Sequence, residues 1–253
     1  MYDSSQPYAS QRSPVAADNL VATSQPLAVE AGVQALRKGG NAVDAALSAA
    51  ITLTVVEPNN NGLGSDAFCI LWDGSELIGI NGSGRSPRRW TRSHFEGRQA
   101  MPALGWDCVT VPGAVSTWVA LSKRFGQLPF ADLFEAAIHY AREGFLVGPK
   151  SAYYWKLLKT HYKDFEAFKE HFHPIPEAGE RFVRKDMAIT LELIAESEGE
   201  TFYRGEIADQ IIAASKDGGG LMERADLENL SLIHISEPTR LLSISYGVFC
   251  LKK

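Results

Sequence analysis

Residues 41–56 read NAVDAALSAAITLTVV, and they narrow the choice of fold more than any other stretch of the chain. Asn41 stands where a helix N-cap belongs, and Asp44 follows three residues later in a capping-box-like placement. Five alanines let another element approach closely, so the stretch predicts a buried helix rather than a surface one. Glu57-Pro58 closes it, because proline disfavours helical backbone in the residue before it. A helix that must be covered needs neighbours. A chain of 253 residues, 45% hydrophobic, can supply them in one large domain or two small ones.

The neighbours are legible on both sides. Residues 1–13 are a polar arm, and no period is visible before residue 20. VATSQPLAVEAGVQALRKGG then predicts a helix with Ser24 as its cap, Pro26 in the first turn and Glu30 near the positive end of the dipole. Val29, Val33 and Leu36 share a face, Arg37 and Lys38 suit the last turn, and Gly39 and Gly40 end it.

Downstream of the buried helix, the loop NNNGLGSDAF feeds a strand, AFCILWD. A turn at Asp73-Gly74 leads to its hairpin partner, ELIGING. GSGRSPRR is a second glycine-rich loop. VTVPGAVSTWVALSKRFGQ reads as a strand end turning into a helix, and PFADLFEAAIHYAREGF as an amphipathic helix. Its buried face is Leu133, Ala136, Ala137, Tyr140 and Ala141, and Gly144 ends it. Residues 150–173 read as helical, and DMAITLELIAESEGETFYRGEIADQIIAASKDGGG as two helices broken near Glu198-Gly199. The mixture is α/β, of the α+β kind and rich in helix.

Charge and hydropathy remove several function classes. A net charge of −5, with no basic run, argues against nucleic-acid partners, which demand a basic surface. The longest apolar segment, AALSAAITLTVV, is broken by Ser and Thr and too short to span a bilayer, so no membrane partner is expected. The N-terminus lacks the apolar core of a secretory signal. Cys69, Cys108 and Cys250 are too few and too scattered for a disulfide framework or a zinc site. A reduced, cytoplasmic setting is the expectation.

From the residues alone, the glycine-rich loops at 59–66 and 82–87 are the functional candidates, since glycine permits close backbone approach to a ligand. Neither carries the GxGxxG pattern or the Lys-Ser/Thr end of a phosphate loop, which argues against a nucleotide cofactor. The order of motifs says more. GGNAVDAALSAAITLTVVEPNNNGLGSDAF, VPGAVSTWVALSKRFGQLPFADLFEAAIHYAREGF, ETFYRGEIADQI and GGGLMERADLEN, in that sequence, resemble the γ-glutamyltransferase family from Pro14 to Asn229.

That resemblance implies the helix-rich large-subunit part, residues 1–229, of an N-terminal nucleophile hydrolase, a layered αββα sandwich made as an inactive precursor. In such a family the precursor cleaves itself before a threonine. The freed α-amine then serves as the base for that residue's own hydroxyl, and backbone N–H groups stabilise the oxyanion. Acyl transfer to water gives hydrolysis, and transfer to an amine gives transpeptidation. The resemblance implies no cofactor. The partners it implies are a small γ-glutamyl or related acyl substrate and the small subunit from the same precursor.

The family's nucleophile lies downstream of the matched segment, so no catalytic residue is expected in this chain and the chain alone is expected to be inactive. Thr160-His161 is similar to a family Thr followed by His, but its setting, WKLLKTHYKDF, reads as a charged helix rather than the first strand of a mature subunit. Family members also carry an Arg-Glu pair shortly before a proline, the Arg gripping the substrate carboxylate. Aligned on Pro87, this chain has Ser83 and Gly84 there, with Arg85 two residues beyond that Arg's position. Arg85 can still fork onto a carboxylate, so Arg85 and Ser83 are the substrate-binding candidates. A structural ion pair is the competing role for Arg85. GSGRSP resembles the acylase-like cytoplasmic branch, which leaves two alternatives open: a cephalosporin- or glutaryl-acylase-like amidase, or a non-catalytic binding protein on the same fold.

Other polar residues receive plainer readings. His171 and His173 lack a third ligand at useful spacing, so no metal is expected. Asp66 is expected to cap its loop. Glu57, Glu135 and Glu143 sit at helix ends or faces, and Tyr153, Tyr154 and Trp155 are expected to pack. Residues 230–253 are set apart. LSLIHISEPTR resembles, residue for residue, the translation of a transposase-type sequencing adapter, so this tail is read as non-native and His234, Ser236 and Cys250 receive no role. Without its partner strands the chain is expected to expose apolar faces and aggregate.

Overall fold

The computed structural model describes residues 15–230 and 233–235, so the arm of residues 1–13 and Cys250 lie outside the described residues. Along the chain run α1 (Pro26–Arg37), α2 (Ala42–Val56), β1 (Ala67–Trp72) and β2 (Leu77–Gly82). Short 3-10 helices at Arg92–Phe95 and Trp106–Cys108 precede α3 (Ala114–Phe125), and another at Phe130–Phe134 runs into α4 (Glu135–Glu143). Then come β3 (Phe145–Leu146), α5 (Pro149–His161), α6 (Glu166–Phe172) and β4 (Arg181–Phe182). The described part ends with α7 (Lys185–Glu196), α8 (Glu200–Arg204), α9 (Glu206–Asp217), α10 (Arg224–Glu228) and β5 (Ile233–Ile235). The chain divides into two compact units, Met1–Gly62 with Phe125–Glu192 and Leu63–Arg124 with Leu193–Lys253.

In the first unit α2 is the core element, buried on nearly every face as its composition demands. Asn41 and Asp44 form the expected capping box: the Asn41 side chain accepts from the N–H groups of Val43 and Asp44, and Asp44 accepts from Asn41 N at 2.8 Å. Asp44 is itself fully buried and also takes the N–H of Gln127 at 3.0 Å, so one carboxylate ties two chain segments together. The buried hydroxyls cost little, because Thr52 and Thr54 donate to carbonyls of their own helix, Ser48 O and Ile51 O, each at 2.7 Å. Helix α1 lays its small residues Ala28, Ala31, Gly32 and Ala35 along α2, and α4 packs there as well. Full burial of Ile51 and Val56 is worth about 2 kcal/mol each.

One cap differs from expectation. Gln25, not Ser24, caps α1, its side-chain oxygen accepting from Leu27 N and Ala28 N. Ser24 instead donates to Glu57 at 2.5 Å, while Asn60 donates to the other Glu57 oxygen at 2.7 Å. Glu57 thus ties the start of α1 to the end of α2. Glutamine reaches the helix N–H groups with a longer arm, which rules of short capping residues overlook.

In the second unit β1 and β2 form the expected hairpin, in register Ala67 with Gly82 through Trp72 with Leu77. Asp73 holds the turn by accepting from Ser75 N at 2.8 Å and Glu76 N at 2.9 Å, and these donors hold its carboxyl below the usual range. The backbone of Ile233–Ile235 adds β5 alongside β2, giving sheet order β1-β2-β5. On β1 the exposed side chains alternate as Phe68, Ile70 and Trp72. Leu77, across from Trp72, extends this apolar face.

Two further expectations are corrected. Residues 109–111 form no strand; Val111 N donates to Arg85 O at 2.9 Å as an isolated contact. Between residues 185 and 220 there are three helices rather than two, because Gly205 adopts extended backbone and breaks α8 from α9, in addition to the break at Glu198-Gly199. No helix among the described residues is long and apolar enough to cross a membrane.

Candidate functional site

The two glycine-rich loops meet at the start of α3, inside the second unit. Ser65 O, from the first loop, accepts the N–H groups of Gly113 and Ala114 at 3.1 and 3.0 Å. The second loop runs beside residues 110–113: Thr110 Oγ1 donates to Ser83 O at 3.4 Å and Val111 N to Arg85 O at 2.9 Å. Tyr203 completes the junction, accepting from Ser116 N and donating to Pro112 O, both at 2.9 Å. Burial pushes the Tyr203 hydroxyl up to about 12, so it stays protonated and can donate. Ala114 N and Ser116 N, in the first turn of α3, are thereby satisfied by a loop carbonyl and a phenol rather than by a side-chain cap of the usual kind.

Glycine is required in this packing for a definite reason. Gly84 has φ +69°, and a Cβ there would lie 1.7 Å from Val111 O. A Cβ on Gly113 would lie 1.9 Å from Gly82 O, so the two backbones touch without side chains between them. The loop bearing Ser83 and Arg85 is therefore fixed to about the width of a backbone.

Arg85 is half-buried, and its Nη2 reaches the main-chain carbonyl of Asp226 at a long 3.4 Å. Its Nε is shut off from solvent without any partner. Among the described residues the guanidinium forms no ion pair, and its one hydrogen bond is the long contact to Asp226 O. Ser83 is half-buried too. Its N–H donates to Asn81 Oδ1 at 2.9 Å and its hydroxyl leans on Gly84 O at 3.4 Å, and no hydrogen bond joins it to Arg85. Beneath them Asp226, fully buried, accepts from Glu223 N at 2.9 Å and Arg88 N at 3.0 Å.

Tyr203 and Asp226 escaped sequence reasoning, although both lie in motifs that carried the family resemblance. The signal for Asp226 was present: Glu223 and Asp226 stand at capping-box spacing, and the structure forms that box. Nothing local announced Tyr203, because its partners are about ninety residues away in sequence.

The remaining candidates have plainer surroundings. Thr160 and His161 end helix α5, both exposed, with no strand context. His171 pairs with Asp186 at 3.5 Å, and His173 merely caps α6. No group of three or more potential metal ligands occurs among the described residues. Asp66 is exposed and caps nothing among the described residues; Ser65 holds that loop instead. Tyr153 and Tyr154 are exposed and contact each other edge-on at 5.5 Å, so only Trp155 of that trio is packed, at 3% exposure. Cys69 and Cys108 are free thiols, and burial raises that of Cys69.

Comparisons with known proteins converge on one family. The gamma-glutamyltranspeptidase family model matches residues 28–247, running past Asn229. The glutathione hydrolase-like YwrD proenzyme of Bacillus subtilis is 36% identical over 225 residues, which cover 86% of this chain and 42% of that protein. A glutathione hydrolase proenzyme of a Pseudomonas species is 32% identical over 237 residues, covering 87% of this chain and 40% of its own length. Among solved structures, cephalosporin acylase from Bacillus halodurans superposes with TM-score 0.88 at 43% identity, covering 93% of this chain and 46% of that one. Gamma-glutamyltranspeptidase from Pseudomonas nitroreducens gives 0.82 at 29% identity, over 87% of this chain and 67% of that one. The chain spans less than half the length of these curated relatives. The fold is the mixed α/β fold of the N-terminal nucleophile hydrolases, as its motifs implied. By motif order, sequence match and backbone alike, this chain belongs to the gamma-glutamyltranspeptidase family.

Proposed function

We propose that this chain is the large-subunit part of an autoprocessed acyl-transfer enzyme, acting on γ-glutamyl or related amides whose terminal carboxylate is held by Arg85 with help from Ser83. The observation that carries the reading is the guanidinium of Arg85, half-buried, with Nε unpartnered and Nη2 on a long contact to a carbonyl. A charged fork with unused donors, on a loop locked by backbone contact, is prepared for a carboxylate. The nucleophile of the proposed reaction is a threonine downstream of the residues in hand, released when the precursor cleaves itself, and the small subunit so formed is the partner. Both curated relatives above are named as proenzymes, which supports a processed precursor.

A second reading, an amidase of the cephalosporin-acylase kind, is favoured by the GSGRSP loop and by the 43% identity to the Bacillus halodurans acylase. Relative hydrolysis of γ-glutamyl and glutaryl anilides by the protein from the complete gene separates the two. A denaturing gel of the same protein tests the common core: two bands are expected, and a single unprocessed band with no anilide hydrolysis would leave a non-catalytic binding protein. We also propose that residues 230–253 are a non-native tail. The pairing of Ile233–Ile235 with β2 uses backbone atoms only, which any extended segment supplies. Reading the source gene beyond the codon for Asn229 decides it; recovery of LSLIHISEPTR from genomic DNA would refute the proposal.

A further inference from the structure

A single residue grips the stretch Arg85-Ser86-Pro87-Arg88 at both of its ends. The main-chain carbonyl of Asp226 accepts from Arg85 Nη2 at 3.4 Å, and Oδ1 of the same residue accepts from Arg88 N at 3.0 Å. Pro87 lies buried between the two grips. Its ring fixes its own φ and biases Ser86 toward extended backbone, so few soft torsions separate Arg85 from Arg88. The backbone of Arg85 is held independently, because its carbonyl accepts Val111 N at 2.9 Å. What Asp226 adds is the direction in which the guanidinium leaves that backbone.

Asp226 is itself firmly placed. It is fully buried, and its Oδ2 accepts Glu223 N at 2.9 Å to cap α10. Helix α10 is tied to α8, since Arg204 Nη2 donates to Glu228 O at 2.9 Å and Arg224 donates to Arg204 O. Each carboxylate oxygen of Asp226 thus takes a backbone N–H, and Arg85 meets only the neutral carbonyl. That difference matters. A carboxylate partner would cancel the charge that a substrate carboxylate needs, whereas a carbonyl turns the fork and leaves its charge in place.

We infer that Asp226 is a positioning residue for the carboxylate end of the substrate, acting through Arg85. The inference rests on the reading of Arg85 as the carboxylate fork. The side chain of Asp226 sets the path of residues 85–88 and its carbonyl sets where Nη2 lies, so the fork meets its target with less rotamer freedom left to lose. Weakening this support raises KM for a substrate that bears the carboxylate and leaves the chemistry at the distant acyl carbon alone. Once no guanidinium is there to be positioned, the effect disappears.

The test is a double-mutant cycle on the processed protein from the complete gene, with a γ-glutamyl anilide as substrate and every assay run well below the variant's thermal midpoint. Asp226→Asn is expected to raise KM about threefold or more with kcat within about twofold, and to add little further once Arg85→Met is present. Leu227→Ala truncates a buried neighbour on the same helix. It should lower the midpoint yet keep KM within about twofold, which separates positioning from a merely loosened α10. Equal KM effects of Asp226→Asn with and without Arg85 overturn the inference and leave the carboxylate reading intact. The same holds for an Asp226→Asn protein that melts earlier with KM unmoved, or for a Leu227→Ala protein whose KM rises as much. An Arg85→Met protein with unchanged KM sinks both, since there is then no fork to position. If Asp226→Asn is not recovered in processed form, the smaller Asp226→Ser takes its place. Failure of both to process assigns the carboxylate to folding alone and overturns the inference.

Discussion

The carboxylate of Asp226, sealed from solvent, accepts the backbone N–H of Arg88 at 3.0 Å and so fastens the Arg85 loop to helix α10. Its second oxygen caps that helix through Glu223 N at 2.9 Å, so a single side chain serves both elements. Asp226→Ala should therefore cost about 3 kcal/mol in chemical denaturation, the loss of two bonds to a buried charged acceptor. Asp226→Asn should cost less, since an amide oxygen keeps one of the two. An alanine variant of unchanged stability would show that the loop is held elsewhere.

Arg85→Met should raise KM for a γ-glutamyl anilide about tenfold or more and leave kcat within a few fold, as expected when binding to the unreacting end of a substrate is lost. Arg85→Lys should recover part of the loss, the charge but not the fork. If KM is unmoved while stability drops, the guanidinium is a structural element of the loop.

Gly84→Ala should destabilise the protein by about 3 kcal/mol or more, because it adds left-handed backbone strain to an overlap with Val111 O at 1.7 Å. Denaturation midpoints of the variant and the parent decide it. An alanine tolerated at normal stability would mean that residues 82–85 do not lie against residues 110–113.

Arg184 forks onto Asp186 with bonds of 2.9 and 2.6 Å, and this pairing holds the Asp186 carboxyl at about 2. A folded-state value below the unfolded one contributes stability that is complete above the ordinary carboxylate range and is lost as pH falls toward about 2. With half of the Asp186 side chain in solvent, screening leaves at most about 1 kcal/mol. The stability gap between parent and Asp186→Asn, followed by urea denaturation, should be present at pH 6 and close near pH 2. A gap that persists unchanged at low pH would exclude the pairing as its source.

Phe68, Ile70, Trp72 and Leu77 present one apolar face of the hairpin, with Trp72 at 61% and Phe68 at 57% exposure. The 253-residue chain by itself should self-associate through this face in size-exclusion chromatography with light scattering. The double substitution Phe68→Thr with Trp72→Thr keeps strand propensity, and it should shift the population toward monomer. A monomeric parent at micromolar concentration would argue that the face is inert.

Much of the fold was legible where its cause is local. Asn41 and Asp44 announced the start of α2, Pro58 its end, and Asp73-Gly74 the hairpin, because capping and turn chemistry act within a few residues. The errors came where a longer reach wins. Gln25 replaced Ser24 as the cap of α1 once Ser24 was drawn to Glu57, 33 positions away. Residues 109–111, strand-like in composition, formed no strand because the loop beside them offers only scattered contacts. Of the site, Arg85 and Ser83 could be named from an alignment on Pro87, but not their supports. Tyr203 and Asp226 act through contacts 91 and 138 positions away, where no periodicity reaches.

By itself, then, the sequence determined the family, the buried character of α2 and the presence of two glycine-rich loops, since these depend on composition and on spacing along the chain. Only the tertiary structure decided that both loops meet the first turn of α3, that Arg85 is left with unpaired donors, and that Asp226 reaches both Arg85 and Arg88. The physical reason is the same in each case. A hydrogen bond needs groups a few ångströms apart in space, and chain distance says nothing about that until the backbone has closed.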